Sequence, residues 1–241
     1  MSTTHSSFEI NIQPTPWDSN VFGLNTFEVS MSDIGVSDTE VAVEKLKDIT
    51  TADEASLFYC RTNANSRINK AILYKSGFFN CETQLLVVNS INKNTIPLAL
   101  GKRRLQIAAG TDQDYIDVVE KSSSVFEYSR FHEDPFVSKR LSNLRMKYWC
   151  RDMHRQKVPL LVFRNKVNEL DSFIFYRRTD DKSVELILGG SMPSKGVMTP
   201  LFWASFIDYF NDLGIKYIET KISASNIVVV NIYMFFNFKI K

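Results

Sequence analysis

The chain has 241 residues, of which 44% are hydrophobic and 23% are charged, as in globular proteins with a substantial buried core. Its 29 basic and 27 acidic residues leave a formal net charge of +2 without clustered Lys or Arg, so no nucleic-acid partner is expected. No apolar run reaches the length of a membrane span, and residues 1–8 lack a signal-peptide core. We therefore expect a cytoplasmic protein with no membrane partner.

The residue types that most often bind metal ions are few and scattered. Cys60, Cys81 and Cys150 form no close pair, and the three histidines show no ligand spacing. Reduced and partly buried thiols are the favoured interpretation of the cysteines. We therefore predict a protein without a metal ion.

Breaker residues divide the chain into two halves. Residues 89–94 are mostly polar, and Pro97 and Gly101 follow closely. We place a domain boundary near residue 100. This gives a smaller α/β domain over residues 1–100 and a second domain over residues 101–241.

The second half opens with one strand and two helices. Residues 105–109 are apolar and predict a strand, and Thr111 is the predicted N-cap of the first helix. Asp134 and Pro135 give a second start signal, for a helix that extends to about His154. The apolar face of this second helix is predicted to carry Leu141, Leu144 and Tyr148.

An antiparallel meander is predicted next. Residues 159–164, 171–177 and 183–188 read as strands, and the turns between them are short. Short turns join neighbouring antiparallel strands, whereas parallel strands need longer crossovers.

The last third predicts a helix, a strand and a final helix, over residues 199–213, 215–222 and 226–236. Gly214 is the predicted C-cap of the first of these helices. One face of that helix carries Phe202, Phe206 and Phe210. With the meander, these elements predict a mixed α/β fold with a mostly antiparallel central sheet flanked by helices.

Two segments of the chain end alike. Tyr74 precedes Phe78 near the end of the first half, and Tyr233 precedes Phe238 near the end of the second. One interpretation is that the first half is a degenerate copy of the second. Chance similarity is the alternative.

The C-terminal segment carries an Asn, a Tyr seven residues later, and then a residue pair that ends in Phe. These residues are Asn226, Tyr233, Asn237 and Phe238. The segment resembles the GNAT superfamily of CoA-dependent acyltransferases, with Asn237 in place of the family's Gly because Asn tolerates a left-handed conformation. The resemblance implies a GNAT-like fold, Tyr233 as the acid that protonates the leaving thiolate, and Asn226 as a contact of the pantetheine arm. A core tyrosine and a helix N-cap are the alternatives.

The same resemblance implies an acyl-CoA thioester as co-substrate. A backbone N–H at the end of the third meander strand, in the range from Leu188 to Gly190, would hold the thioester oxygen, because glycine permits close approach. The pyrophosphate would bind the loop before residue 199, where only one glycine of the family's Arg/Gln-x-x-Gly-x-Gly/Ala pattern is kept. The implied loop contacts are Ser194, Lys195, Gly196, Val197 and Met198, of which Met198 would crowd the phosphates.

Two further motifs narrow the acceptor. Residues 16–19 (PWDS) with Phe22 and Gly23, and residues 129–135 (SRFHEDP), are similar to dTDP-amino-sugar N-acyltransferases of the dTDP-fucosamine acetyltransferase type. This resemblance implies a dTDP-amino-sugar partner and a substrate site that contains Trp17, Asp18, Ser19, Phe22, Arg130 and Glu133. The alternatives are core packing for the two aromatics, a turn for Asp18 and Ser19, and a surface ion pair with Glu127 or Asp134 for Arg130.

Attack on a thioester needs a neutral amine, and therefore a base. His132 is the candidate because histidine is the side chain whose ordinary charge change falls near neutral pH. A water chain to solvent is an equal alternative, and Asp134 is interpreted as a helix N-cap.

The leading hypothesis is an enzyme that moves an acetyl or longer acyl group from acyl-CoA to the amine of a dTDP-linked amino-dideoxysugar, for surface-polysaccharide synthesis. A second hypothesis is a GNAT enzyme that acts on another small amine or a peptide terminus. A third is a degenerate GNAT that serves as a binding module, which the altered pyrophosphate loop favours. A homodimer is compatible with all three.

Overall fold

The computed structural model describes residues 8–52, 56–92, 94–192 and 199–241. Within these ranges the chain divides between Cys81 and Glu82 into two compact units, and each unit has its own β-sheet. None of the helices there combines the length and the apolar character that a membrane span requires.

The first unit is a small α/β unit with the strand order β1-β2-β3, in which β1 is antiparallel and β3 parallel to β2. Val29, Leu46 and Ile72 lie at the centre of its core. Its elements in chain order are β1 (Ile10–Pro14), α1 (Pro16–Phe22), β2 (Thr26–Met31), α2 (Thr39–Thr51), β3 (Leu57–Cys60) and α3 (Arg67–Lys75).

The second unit has a sheet of seven strands in the order β10-β4-β9-β8-β7-β6-β5. All neighbours are antiparallel except β8 and β9, which are parallel. Its elements are β4 (Gln84–Ser90), β5 (Ala108–Ala109), α4 (Asp112–Lys121), α5 (Lys139–Arg155), β6 (Leu160–Arg164), β7 (Leu170–Asp180), β8 (Ser183–Ser191), α6 (Thr199–Asp212), β9 (Tyr217–Ser223), α7 (Ile227–Phe235) and β10 (Lys239–Ile240).

Helices pack against the second sheet in two separate clusters. Phe206 and Phe210 of α6 share one buried cluster with Ile174 of β7. Cys150 of α5 shares the other with Phe173 of β7. Since side chains alternate along a strand, Phe173 and Ile174 point to opposite faces, so the sheet lies between helical layers. The mixed α/β fold with a mostly antiparallel sheet flanked by helices is confirmed.

Strand β4 belongs to the second unit, although it precedes the boundary that the sequence predicted. It pairs along its whole length with β9 and at Val87 and Val88 with β10, and Val87 is fully buried. The boundary between the two units in the sequence therefore lies before β4. The polar and breaker residues up to Gly101 mark a loop inside the second unit.

The two helices at the start of the second half differ in how well the sequence predicted them. Thr111 caps α4 in a capping box with Asp114, which confirms the first start. The second start, at Asp134, is wrong. The Asp134 carboxylate accepts the Phe136 N–H (2.8 Å) within a turn, and α5 begins only after Ser138, whose hydroxyl accepts the Leu141 N–H.

Two details of neighbouring elements also differ from the predicted pattern. Strand β5 is confined to Ala108–Ala109, so most of the strand predicted over residues 105–109 is not in the ladder. The fully buried face of α5 is not the one that carries Leu141, Leu144 and Tyr148. It carries Ser142, Met146, Cys150 and Met153.

The two units repeat one run of elements: helix, strand, helix, a left-handed residue and a phenylalanine. The equivalent elements begin at residues 39 and 199, 57 and 217, and 67 and 227, so each pair is equally far apart in the sequence. Gly77 (φ 89°) and Asn237 (φ 60°) are the left-handed residues. Asn237 therefore adopts the left-handed conformation that a glycine at this position would allow.

The alignment of the two repeats corrects the tyrosine pairing that the sequence suggested. The Phe78 N–H bonds to the carbonyl of Leu73 (2.9 Å), and the Phe238 N–H bonds to the carbonyl of Tyr233 (3.0 Å). Leu73 is therefore the equivalent of Tyr233. Tyr74 lies one position further on and is 78% exposed.

In the first unit a buried amide bonds to the chain that leaves β2. The Asn69 side chain of α3 donates to the Ser32 carbonyl (3.0 Å) and accepts the Ile34 N–H (3.3 Å). Ser32 and Ile34 lie between β2 and α2, in the repeat position of the loop before α6. The backbone N–H of Ile34 is therefore already bonded within the unit.

Candidate active site

The two parallel strands of the second sheet, β8 and β9, are hydrogen-bonded to each other over only part of their length. Strands β8 and β9 pair from Ser183 and Tyr217 as far as Leu186 and Thr220. Beyond these residues β8 continues to Ser191 against β7, and β9 continues to Ser223 against β4. Backbone groups on the facing sides of the two extensions thus border a gap instead of a ladder.

A bulge in β8 lies where this gap begins. The register with β7 places Leu186 opposite Tyr176 and Leu188 opposite Phe175, which leaves Ile187 as the extra residue. An extra residue of this kind changes which backbone groups point to which neighbour. The direction of each later N–H therefore has to be read from the register beyond the bulge.

The register selects one residue within the predicted range from Leu188 to Gly190 as the one whose N–H faces the gap. The Met192 N–H donates to the Asp171 carbonyl of β7 (2.8 Å). Since backbone groups alternate in direction along a strand, those of Leu188 and Gly190 also face β7, and the N–H of Gly189 faces the gap. Gly189 replaces Leu188 and Gly190 as the candidate oxyanion donor.

Gly190 has a packing role. A Cβ at this position would overlap the Val125 side chain and would lie 3.3 Å from the Phe173 ring. The chain that follows α4 therefore occupies the space of a side chain at residue 190. Core packing alone is therefore enough to account for glycine at this position.

We expect Gly190→Ala to lower the free energy of unfolding by about 1–3 kcal/mol, because the added methyl overpacks the core. Val125→Ala in the same chain should restore much of that loss, since it removes the overlapping methyl groups. Urea unfolding of both single variants and the double variant measures the coupling. Strictly additive effects would contradict the packing role.

Tyr233 lies on α7 within an aromatic cluster and is only 4% exposed. Its ring packs edge-on against Trp203 and Phe238, with centroid distances of 4.5 and 4.8 Å. Burial raises the pKa of the Tyr233 phenol above its ordinary value, against a smaller lowering by a hydrogen bond with the Thr220 side chain. The phenol therefore stays protonated at neutral pH.

Thr220 connects this phenol to the last residue pair before the gap. Its hydroxyl donates to the Leu186 carbonyl (2.8 Å), and its side chain also interacts with the Tyr233 phenol. Leu186 and Thr220 are the final partners in the β8–β9 ladder. The Tyr233 hydroxyl thus lies at the closed end of the gap.

Asn226 is the N-cap of α7. Its side-chain oxygen accepts the Val229 N–H (3.2 Å). The cap fixes the start of the helix that carries Tyr233. It lies shortly after the end of β9. The predicted contact of Asn226 with the pantetheine arm stays a prediction.

His132 is held by hydrogen bonds at both ring nitrogens. Nδ1 lies 2.8 Å from the Ser129 hydroxyl, and Nε2 lies 2.9 Å from Asn143 Oδ1. Since Oδ1 only accepts, Nε2 carries the proton and Nδ1 accepts from Ser129. No lone pair of the ring is left for an acceptor amine, so the geometry does not support His132 as the base.

His132→Asn should leave the shape of the pH–rate profile unchanged, because the ring braces a loop instead of accepting a proton. We expect the free energy of unfolding to fall by about 1–2 kcal/mol from the lost hydrogen bonds. Steady-state kinetics across pH and urea unfolding check the two parts. Loss of the acidic limb of the profile would restore His132 as the base.

Glu133 reaches the end of β9. Its Oε1 accepts the Ser223 hydroxyl (2.8 Å) and its Oε2 accepts the Ser225 hydroxyl (2.7 Å). Ser223 belongs to the part of β9 that borders the gap. Glu133, one of the residues predicted to bind the acceptor substrate, therefore lies beside the candidate site.

Arg130 lies close to the Glu82 carboxylate. Burial raises the pKa of the Glu82 carboxyl, and Arg130 partly opposes this shift through its charge and its backbone N–H. The Arg130 guanidinium also stacks on the Phe131 ring, 4.5 Å from its centroid. Glu127 instead pairs with Lys139 (3.9 Å).

In the first unit, the residues of the PWDS motif have separate environments. Asp18 is fully buried and accepts the Tyr59 hydroxyl (3.2 Å). The Ser19 hydroxyl accepts the Thr26 N–H (3.0 Å), which ties α1 to β2. Both residues lie within helix α1, so the turn interpretation of Asp18 and Ser19 is wrong. Trp17 is 50% exposed, so it is not a core residue, and Phe22 is half-buried.

The predicted pyrophosphate contacts Ser194, Lys195, Gly196, Val197 and Met198 lie outside the described residues. Helix α6 begins directly after them, at Thr199. Within the described ranges, no three His, Cys, Asp or Glu side chains converge as ligands for a metal ion.

No protein-family model matches the sequence, and no curated protein matches it. Solved structures do match. A GCN5-related N-acetyltransferase from Sphaerobacter thermophilus aligns with a TM-score of 0.56 and 10% identity, over 98% of this chain and 74% of that chain. An acetyltransferase of the GNAT family from Colwellia psychrerythraea aligns with a TM-score of 0.56 and 8% identity, over 96% of both chains.

The chain has the GNAT fold. A third match extends over both units of the chain. It is a tandem GNAT protein from the clavulanic acid biosynthesis pathway, solved without AcCoA, with a TM-score of 0.57 and 10% identity over 90% of this chain and 73% of that chain.

Two residues at the gap of this GNAT fold were singled out only by the structure. Gly189 adjoins Gly190, and only the bulge at Ile187 decides which of them faces the gap. Thr220 did leave a signal. It is a polar residue on the buried face of an alternating strand, between Ile218 and Ile222, and such a residue needs a hydrogen-bond partner inside the fold.

Proposed function

We propose that this chain is an N-acyltransferase that uses acyl-CoA. The observation that carries the proposal is the gap between β8 and β9, which borders Gly189 and closes at Thr220 and Tyr233. An extended ligand with amide groups can bond the backbone on the sides of such a gap, as an added strand does. The pantetheine arm of CoA is a ligand of this kind.

Two groups of the chain have separate tasks in the proposed reaction. A bound thioester supplies an activated acyl carbon. The Gly189 N–H would stabilise the thioester oxygen as it gains negative charge. The Tyr233 phenol is protonated at neutral pH, so it can give its proton to the sulfur as the C–S bond breaks.

The rest of the CoA site in this proposal follows from the resemblance. Asn226 contacts the pantetheine arm, and the pyrophosphate binds the loop of residues 194–198. This loop leads into the 14-residue helix α6, whose N-terminal N–H groups and dipole attract anionic groups.

For the acceptor, we propose the amine of a dTDP-linked amino-dideoxysugar, acylated as a step of surface-polysaccharide synthesis. The similarity of residues 16–23 and 129–135 to enzymes of that type supports the choice. The exposed indole of Trp17 is a flat apolar surface suited to stacking on a pyrimidine. Arg130 is suited to a diphosphate. Asp18 and Ser19 add no support, because hydrogen bonds within the first unit engage them.

One assay tests this proposal against the alternatives. The chain is incubated with a panel of acyl-CoA donors and amines, and free thiol is measured over time. Turnover with dTDP-amino sugars alone supports the proposed acceptor, whereas turnover with other amines keeps the acyltransferase and overturns the sugar. Absence of turnover together with absence of CoA binding by calorimetry would favour a degenerate GNAT module.

A further inference from the structure

One carboxylate joins the loop between α4 and α5 to the open end of β9. Both oxygens of Glu133 accept hydroxyl protons, from Ser223 at 2.8 Å and from Ser225 at 2.7 Å. Ser223 is the last residue of β9, and Ser225 comes just before the N-cap of α7. Glu133 is therefore fixed at the mouth of the gap that closes at Tyr233.

The loop that presents Glu133 is braced on either side of it. The Ser142 hydroxyl donates to the Phe131 carbonyl (2.6 Å), and His132 bonds to Asn143 (2.9 Å). Asp134 fixes the following turn through the Phe136 N–H (2.8 Å). A group held in this way needs little reorganisation when it reacts, which favours catalysis.

The neighbouring titratable groups of the loop are engaged elsewhere. His132 uses both ring nitrogens, and Asp134 is buried and caps a turn. Glu127 is exposed and pairs with Lys139 at 3.9 Å. Each oxygen of Glu133 has one serine partner and further lone pairs, which an ammonium group can use.

Glu133 has a second carboxylate in its surroundings. Glu82, just before β4, interacts with Glu133 through its charge, and burial raises the pKa of the Glu82 carboxyl. Arg130 partly opposes that shift, and Gln84 donates to Glu82 (3.0 Å). A second carboxylate beside Glu133 strengthens the attraction for a positively charged ligand.

We propose that Glu133 binds the acceptor in its ammonium form at the mouth of the gap and takes a proton from it. The acceptor is then a cationic primary amine, and Glu133 replaces His132 as the base. This assignment rests on the acyltransferase function proposed above.

The protons and bonds balance as follows. The ammonium gives one proton to Glu133, which passes it to solvent. The neutral nitrogen forms the C–N bond to the thioester carbon, and the C–S bond breaks as Tyr233 gives its proton to sulfur. The second proton lost by the nitrogen returns Tyr233 to the phenol. The products are an amide, free CoA thiol and one released proton.

The test compares Glu133→Gln with wild type in the thiol-release assay across pH, with CoA binding measured by calorimetry. We expect kcat/KM to fall about 10²-fold or more near neutral pH, with CoA affinity unchanged. The deficit should shrink as the pH rises toward the pKa of the acceptor, because a neutral amine needs no base. A merely structural loss would be the same at every pH.

Glu127→Gln is the matched control, since it removes the same charge from the same loop at an exposed ion pair and should leave the rate and the profile unchanged. Glu133→Asp keeps a carboxylate and should show an intermediate rate with the wild-type profile, which also serves if Glu133→Gln fails to fold. A wild-type rate in Glu133→Gln, or a deficit that does not vary with pH, overturns the assignment while the acyltransferase stands. A wild-type chain that releases no thiol overturns both.

Discussion

Replacing Tyr233 with Phe should slow thiol release by about 10²- to 10³-fold, because the variant lacks the proton that the leaving sulfur needs. The fold should persist, since Phe keeps the edge-on packing against Trp203 and Phe238. CoA affinity should stay close to that of wild type. Steady-state rates and calorimetric titration with CoA measure the two expectations.

Tyr74→Phe is the matched control for this substitution. Tyr74 lies near the end of the first repeat and is 78% exposed. It follows Leu73, the structural equivalent of Tyr233, by one position. Its removal should change neither rate nor affinity. Equal effects of the two substitutions, or no effect at Tyr233, would make Tyr233 a core residue only.

The pH dependence of the wild-type rate follows from the environment of the same phenol. Burial raises the pKa of Tyr233 above the ordinary value of about 10. A general acid is active while protonated, so its contribution should remain full through neutral and mildly alkaline pH. Loss of activity that titrates with Tyr233 below about pH 9 would contradict this.

Removing β4 should unfold the second unit. A chain of residues 101–241 lacks β4, whereas a chain of residues 82–241 keeps it. In the shorter chain β9 loses its antiparallel partner, β10 loses its neighbour in the sheet, and the core loses the fully buried Val87. We expect residues 82–241 to melt cooperatively and residues 101–241 to aggregate or show no thermal transition.

Circular dichroism and size-exclusion chromatography distinguish these results. The two chains share every residue from 101 onward, so the longer chain is the control for the loss of the first unit. A cooperative transition in residues 101–241 would show that β4 is dispensable. Failure of both chains would instead show that the second unit depends on the first.

Local patterns predicted the elements whose signals are local. Helix α6 and the meander followed from the spacing of their apolar residues and from short turns, and Gly214 does adopt the left-handed conformation that ends the helix region. The start of α5 was wrong because Asp134 gives the same signal in a capped turn as at a helix N-terminus. Only Ser138, a few residues later, has the following backbone in helical conformation.

The remaining features depend on pairing between residues far apart in the sequence, which local patterns do not reveal. No local pattern in β4 indicates that it pairs with β9 and β10. The polar and breaker residues near Gly101 therefore suggested the domain boundary instead. The site shows the same limit. Tyr233 was found by a motif, but the choice of Gly189 over Gly190 depends on a bulge and on the register with β7. What speaks against His132 as the base is its contact with Asn143, eleven positions away in the chain.

The repeat in the two units bears on stoichiometry. At the position of Tyr233 the first unit carries Leu73, which has no proton to give. Asn69 already satisfies the Ile34 N–H in the segment that matches the proposed pyrophosphate loop. The first repeat therefore has the same run of elements without the phenol that the proposed reaction needs. Titration with a CoA thioester should saturate at one equivalent for each chain, even though the architecture occurs twice.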